Sequence, residues 1–337
     1  VKDDYLWDRS GEPDPEVAHL EQLLGRYRHD APLSVASMEA APRRRRRWSL
    51  ALAASILIAA GLATLFATRF VWRPGTPWNI SRVEGRVTVD GKPIDDADRL
   101  AVNEVLRTDS SSRVMLQLAR VGEVEVGPDS ELKLVNTESR RHRVSLERGT
   151  LTARLWAPPF TFGVRTRAGL ASDIGCAFTL TYANGRGLVH VTNGWVDFDG
   201  VDSETLVPRG AVAELRDEVG AGSPYYPDAA PQFITALRAF DFDRDRTALP
   251  TILATARRRD ALTLIHLLEH ARPRDERAAI FARLHELAPP PPSVTAEAIL
   301  ARDGAAIHAW RESLGLGGVK NWWVHWRDGI PTGKRAD

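Results

Sequence analysis

The chain has 337 residues, 43% hydrophobic and 26% charged, with 45 lysines and arginines against 44 aspartates and glutamates. That length holds two ordinary domains with cores of their own, and the near-zero balance excludes a global basic field of the kind that gathers nucleic acid. A single cysteine, Cys176, excludes an intramolecular disulfide framework and any structural zinc site that draws two or more thiolates from the chain.

Residues 1–42 read as a short acidic tail, with Lys2, Arg9, Arg26 and Arg28 against nine acids, a balance that argues against contact with DNA or RNA. Asp14-Pro15-Glu16 has the order of a helix start: a capping carboxylate, proline in the first turn, then an acid near the positive end of the dipole. Val17, Leu20, Leu23, Leu24 and Tyr27 recur at steps of three and four, which predicts one apolar stripe on a short amphipathic helix. A helix of about 15 residues is marginal alone in water, so the stripe needs cover from a protein partner or from the bilayer surface. Val17, Leu20, Leu24 and Tyr27 are the candidate partner-binding residues. The stretch 5–25, YLWDRSGEPDPEVAHLEQLLG, resembles the opening helix of the zinc-finger domains of bacterial anti-sigma factors. Those domains combine a Tyr-Leu start and a Pro-Glu helix entry with a His-x3-Cys-x2-Cys metal site. Here His19 stands alone and neither cysteine is present, so that metal site is missing.

Residues 43–72 read as a transmembrane anchor. Its core, Trp48 to Thr68, holds 21 positions without a charge, and at about 1.5 Å per residue it spans roughly 31 Å, the thickness of a bilayer's hydrocarbon. Arg43, Arg44, Arg45, Arg46 and Arg47 precede it, Arg69 and Arg73 follow, and Trp48 and Trp72 stand at the two headgroup levels. A buried core helix rarely has five flanking arginines. A cleavable signal peptide fits poorly, because 42 residues precede the arginines and no small-x-small site follows. The arginine-rich side faces the cytoplasm by the positive-inside rule, which places the N-terminus inside and the C-terminal domains outside, in the periplasm if the source is a bacterium.

Residues 78–215 read as β. Short runs rich in Val, Leu and Thr are punctuated by Gly, Asp, Asn and Pro: Val114, Leu116 and Leu118, Val124 and Val126, and Leu132 and Leu134 alternate with period two. Val189 and Val191 lead to Asn193-Gly194, a tight-turn signal, followed by Val196 and Phe198. Many short strands at such spacing imply an all-β sandwich, barrel or solenoid, and the lack of long unbroken apolar runs argues against a crossover α/β sheet.

The order of signals in this region resembles the FecR-type periplasmic domain. The stretches that carry the resemblance are Gly85 to Val89, Leu106-Arg107-Thr108, Gly127-Pro128-Asp129-Ser130, Leu146-Glu147-Arg148-Gly149, Asp173-Ile174-Gly175-Cys176-Ala177-Phe178 and Val191-Thr192-Asn193-Gly194-Trp195-Val196. Gly85, Gly149, Gly175, Phe178, Gly194 and Trp195 are the motif positions, and Cys176 stands where the family usually has Thr. Independently of the family, the glycines allow positive-φ turns where strands reverse. The resemblance implies an elongated, solenoid-like β domain that acts as a sensor or regulator. Such a domain passes a signal, often from an outer-membrane receptor, across the inner membrane to a sigma factor, and has no catalytic residues.

Beyond Pro224, Pro227 and Pro231, which suggest a linker, residues 228–337 read as α-helical. Apolar spacing predicts helices at 259–271 and 274–288 as an antiparallel hairpin, a stiff spacer at Pro289 to Pro292, and two short helices near 293–301 and 303–314. Trp322, Trp323 and Trp326 form a terminal aromatic cluster, read as packing onto these helices or as a contact for a glycan or partner.

No motif amounts to an active site. His266-Leu267-Leu268-Glu269-His270 matches H-x-x-E-H formally, and two histidines four apart share a helix face that could bind zinc, but its leucines are those of a bundle helix and little chain remains for a third ligand. Asp241, Asp243 and Asp245 resemble the opening of a calcium loop, yet Arg246 and Ile252 replace the glycine and glutamate such a loop requires, leaving a solvated helix entry. Cys176 reads as a buried small residue rather than a reactive thiolate. The sequence thus points to a non-enzyme without cofactor or metal: a single-pass bacterial inner-membrane sensor with an all-β, solenoid- or sandwich-like extracytoplasmic domain and an α-helical C-terminal region. Its expected partners are a sigma factor or other cytoplasmic regulator and an outer-membrane receptor or envelope protein. The alternative is a membrane-tethered scaffold that binds glycan or envelope proteins without signalling.

Overall fold

The computed structural model describes residues 14–27, 75–118, 121–138, 141–200 and 204–316. The chain divides into two units, Val1–Ala67 and Thr68–Asp337. The anchor expected at 43–72, with Arg43 to Arg47, Trp48 and Trp72, lies outside the described residues, as do Trp322, Trp323 and Trp326. Among the described residues no helix is long and apolar enough to cross a membrane.

In the first unit, helix α1 (Pro15–Leu24) runs on into a 3-10 turn, Gly25–Tyr27. Asp14 is extended at its N-cap and its carboxylate accepts the Glu16 amide at 2.9 Å, so the Asp-Pro-Glu entry acts as the sequence indicated.

The second unit is mostly β. Fifteen strands are hydrogen-bonded into one open sheet: β1 (Trp78–Glu84), β2 (Val87–Val89), β3 (Lys92–Pro93), β4 (Arg99–Leu100), β5 (Val105–Thr108), β6 (Arg113–Leu118), β7 (Gly122–Val126), β8 (Glu131–Glu138), β9 (Arg141–Leu155), β10 (Phe162–Thr166), β11 (Gly169–Ala183), β12 (Arg186–Asp199), β13 (Glu204–Pro208), β14 (Val212–Arg216) and β15 (Gly220–Ala221). The main path runs β15-β14-β12-β11-β10-β9-β7-β6-β1-β4, and its ends do not meet. The period-two pattern is realised. Val114, Leu116, Leu118, Val124, Val126, Leu132 and Leu134 are all buried in one continuous core, each worth roughly 1.5–3 kcal/mol of burial.

Two features depart from the sequence reading. The strands are not all short, because β9, β11 and β12 run for 15, 15 and 14 residues. Each is shared between two sets of neighbours. The first half of β9 pairs with β8 and, in parallel, with β10; its second half pairs with β7 and β11. The hairpin β11–β12 pairs with β10 and β13 near one end and with β9 and β14 near the other. Second, Asn193-Gly194 is not a turn; it lies inside β12. Among the described residues, the two-residue turns with both central residues at positive φ are Asp90-Gly91, between β2 and β3, and Asn184-Gly185, between β11 and β12 (48° and 79°, 52° and 74°), as a turn matched to strand twist requires.

The C-terminal part is helical, with α2 (Pro231–Phe242), α3 (Leu249–Thr255), α4 (Ala261–His270), α5 (Arg274–Leu287), α6 (Ala296–Leu300) and α7 (Gly304–Ser313). The predicted hairpin is α4–α5, and the two later helices are α6 and α7. The segment expected as a linker is instead packed. Tyr225 pairs with Val212 through both backbone groups, its hydroxyl donates to Glu214 at 2.7 Å, and Arg238 of α2 reaches the same carboxylate. Pro231 occupies the first turn of α2. Val212 and Tyr225 thereby join the helical core, which also holds Phe233, Ile265, Leu284 and Trp310.

Candidate functional site

Three of the motif glycines sit where long strands bend, and Gly85 lies between β1 and β2. Gly149 in β9, Gly175 in β11 and Gly194 in β12 have φ of 104°, 65° and 69°. Register slips beside each: between Glu131 and Leu132 where β8 meets β9, and between Ile174 and Ala177 where β11 meets β12. A glycine at positive φ within a strand is a bulge residue. These bulges let one strand leave its first neighbours and join the second. The glycines were expected at reversals and are found at kinks. A β-carbon at Gly194 would stand 2.3 Å from the carbonyl oxygen of Gly175, so the two bent strands fit together without side chains between them.

Serines close the corners. Ser112 accepts the Arg86 amide at 2.6 Å beside Gly85, and Ser130 accepts the Thr150 amide at 3.0 Å beside Gly149. Ser112 is held in turn by the Asp109 carboxylate, and Ser130 by a hydroxyl bond to the Pro128 carbonyl. Phe178 is buried with its ring 6.4 Å from that of Phe162, and Trp195, half-buried, pairs across to Ile174 and Pro208.

Next to the bends lies a buried polar cluster that sequence reasoning missed. Trp78, the first residue of β1, is fully buried, and its indole N–H donates to His142 Nδ1 at 3.3 Å. Burial, and then the Arg143 charge, push His142 down to about 4, so it is neutral at physiological pH. Arg143 lies over Gly163 and donates to the carbonyls of His142, Phe160 and Thr161. Its own burial lowers it to about 10. Asp173 is buried, accepts the Cys176 amide at 2.7 Å, and takes the Cys176 thiol as a second donor. Burial raises its carboxyl to about 6 despite these donors and the Arg143 charge. Cys176 is pushed well up by burial and by the Asp173 carboxylate, so it is an unreactive thiol that clamps the Gly175 bulge. Asp173 stood in a quoted motif without a role, and His142 gave no signal at all, since the indole that covers it comes from 64 residues upstream.

The candidate partner-binding stripe is exposed in the first unit. Val17 is half-exposed, while Leu20, Leu23, Leu24 and Tyr27 are open, Leu24 at 62% and Tyr27 at 79%. In the β part, Trp156 is 60% exposed where β9 ends.

The motifs weighed for chemistry take these places. Asp241, Asp243 and Asp245 do not converge as a calcium loop. Asp241 is in the last turn of α2, accepts the Ser223 amide and hydroxyl, and is raised to about 6 by burial; Asp243 pairs with Arg216; Asp245 caps the next turn through Thr247. The solvated helix entry is therefore a packed junction at Asp241. His266, Glu269 and His270 are brought together on α4, and Glu269 meets Arg311 of α7 at 2.5 Å.

Compared with known proteins, residues 104–197 match the FecR protein family. The match begins at β5 and ends within β12. It therefore contains Gly149, Gly175, Phe178, Gly194 and Trp195, whereas Gly85 precedes it. Two crystal structures, at 1.65 and 2.50 Å, of a "putative anti-sigma factor" from Parabacteroides distasonis are similar, each at 18% identity and TM-score 0.32. The similarity covers 39% of this chain and 63% and 62% of theirs, so the chain spans less than two thirds of those structures. No curated protein matches.

Proposed function

We propose that the chain is a regulatory sensor, anchored by one transmembrane helix at 43–72, with a periplasmic FecR-type β domain and a cytoplasmic tail that engages a sigma factor or other regulator. The carrying observation is the FecR family match over β5 to β12, the region that holds Gly149, Gly175 and Gly194 at the bends, the corner serines, and His142, Arg143, Asp173 and Cys176 of the buried polar cluster. The family is regulatory rather than enzymatic. The exposed stripe of α1 supplies a surface that a partner would cover. In this reading a periplasmic event shifts the population of β-domain states, and the shift changes what the tail can bind. An outer-membrane receptor or another envelope protein is the proposed source of that event.

The second reading, a membrane-tethered scaffold that holds glycan or envelope proteins, is favoured by Trp156, since an exposed indole is a common contact residue. A crosslinked pull-down in mild detergent separates the two, comparing the full chain with a variant lacking residues 1–30. A sigma factor or other cytoplasmic regulator captured by the full chain and lost with the tail supports the sensor. Capture of envelope material alone, unchanged by the deletion, sinks it and leaves the scaffold.

A further inference from the structure

The geometry points to a transition-metal site on α4, built from His266, Glu269 and His270. Positions i, i+3 and i+4 share one face of a helix, and one ligand atom from each of these residues lies within 4.8 Å of the other two. The imidazole rings are 4.3 Å apart, centroid to centroid. His270 Nδ1 is 2.8 Å from the carbonyl oxygen of His266. A carbonyl only accepts, so Nδ1 carries the proton and the Nε2 lone pair is left for a ligand. A backbone carbonyl that fixes the tautomer in this way is the usual second-shell partner of a metal-bound histidine.

The second observation is His266 itself. It is 6% exposed, its ring lies against that of His270, and it offers a ligand atom within 4.8 Å of those of Glu269 and His270. A ring nitrogen held in the protein beside a second imidazole and a carboxylate is placed to share an ion with them. Donor atoms at about 2.0–2.2 Å from a tetrahedral zinc ion stand about 3.4 Å apart. Closing the cluster onto an ion therefore needs side-chain adjustment and no change in the helix.

Two imidazoles and one carboxylate select Zn²⁺, Ni²⁺ or Cu²⁺ over Mg²⁺ and Ca²⁺, which prefer oxygen alone. Arg311 is the competing cation, since its guanidinium holds Glu269 Oε2 at 2.5 Å. An ion on α4 would draw that carboxylate away from α7 and loosen the tie between the two helices. The site is a binding site for an ion; nothing in it supplies a reaction. It stands independently of the signalling role.

The test uses the tag-free full chain in mild detergent, stripped with chelator and titrated calorimetrically with ZnCl2, with NiCl2, and with MgCl2 as the hard-cation control. His270, the most exposed of the three, is changed to Ala, which leaves the core intact; Arg311→Gln frees the carboxylate. Expected are one Zn²⁺ per chain, no Mg²⁺, binding weakened at least about tenfold in His270→Ala, and tighter binding in Arg311→Gln. The site is overturned if Zn²⁺ uptake does not saturate, or if wild type and His270→Ala bind alike, since other histidines would then hold the ion. Weaker binding in Arg311→Gln removes Glu269 from the ligand set and overturns the three-residue site.

Discussion

Ser130 Oγ lies 2.0 Å from the place a β-carbon on Gly149 would take, and the Ser130 α-carbon lies 2.4 Å from it. The serine backbone itself occupies the corner, and the hydroxyl then accepts the next amide, that of Thr150. The same device recurs with Gly85 and Ser112, but there the α-carbon is 3.1 Å away and only the hydroxyl, at 2.3 Å, is in the way.

This difference predicts an ordered series of alanine substitutions. Gly175→Ala meets nothing within 4 Å and carries only the strain of φ 65°, about 1–2 kcal/mol. Gly149→Ala and Gly194→Ala add backbone clashes and should cost more, about 3 kcal/mol or above. Ser112→Gly should recover much of the loss in Gly85→Ala, whereas Ser130→Gly should recover little in Gly149→Ala. Urea midpoints of the purified chain rank them; equal losses at Gly175 and Gly149 would show that the corner contact is not the cause.

His142 gives stability that grows with pH. Its folded value of about 4 lies below the ordinary 6.5, so the unfolded chain binds the proton more readily. The contribution is present above pH 6.5 and is lost as pH falls through 4, roughly 3 kcal/mol in all. Asp173 acts in the opposite sense. Its carboxyl is raised from 3.8 to about 6, so its contribution is full below pH 3.8 and is lost as pH rises through 6, again about 3 kcal/mol. The two slopes nearly cancel between pH 4 and 6. His142→Gln, which keeps an acceptor for Trp78, should make the chain more stable at pH 4.5 relative to pH 7. Asp173→Asn, which keeps an acceptor for the Cys176 amide, should do the reverse and gain stability at pH 7. Urea unfolding at the two pH values reads both, and a variant with wild-type slope refutes its half of the pair.

The α1 stripe is exposed, so Leu20→Glu with Leu24→Glu should leave the unfolding midpoint of the β part within about 0.5 kcal/mol of wild type. The same pair should abolish any tail-dependent crosslink. A fall in the midpoint would mean that the stripe packs within the chain.

Trp310 is fully buried, its indole N–H donates to the Ala288 carbonyl at 3.1 Å, and its ring meets Phe281 edge-on at 5.5 Å. Trp310→Ala should destabilise the helical part by about 3–5 kcal/mol, read as loss of the helical signal at lower temperature. Trp310→Phe should recover part of it.

The alternating strands were legible because period two is a local signal, and Val114 through Leu134 needed no distant partner to be read. The positive-φ requirement at Gly194 was legible too, but its meaning was not. Asn-Gly between two apolar runs fits a reversal or a bulge equally well, and the choice rests on Gly175, which faces it from another strand. The Pro-Asp-Ser run announced a turn, while the second duty of Ser130 depends on an amide 20 residues on. His142 was invisible because its polarity is offset by an indole from a strand far earlier in the chain. On α4, the spacing of His266, Glu269 and His270 gave their shared face, but Arg311 arrives only through folding.

The first strand of the sheet is not one of its edges. β1 lies between β6 and β4, bonded to β6 from Asn79 to Glu84 and to β4 at Trp78 and Asn79. A tug along the axis of β1 therefore loads those bonds side by side rather than one after another, and also has to draw the Trp78 indole from its socket. Mechanically, tension drawn along β1 would load its bonds to β6 and to β4 in shear, on both sides of the strand at once.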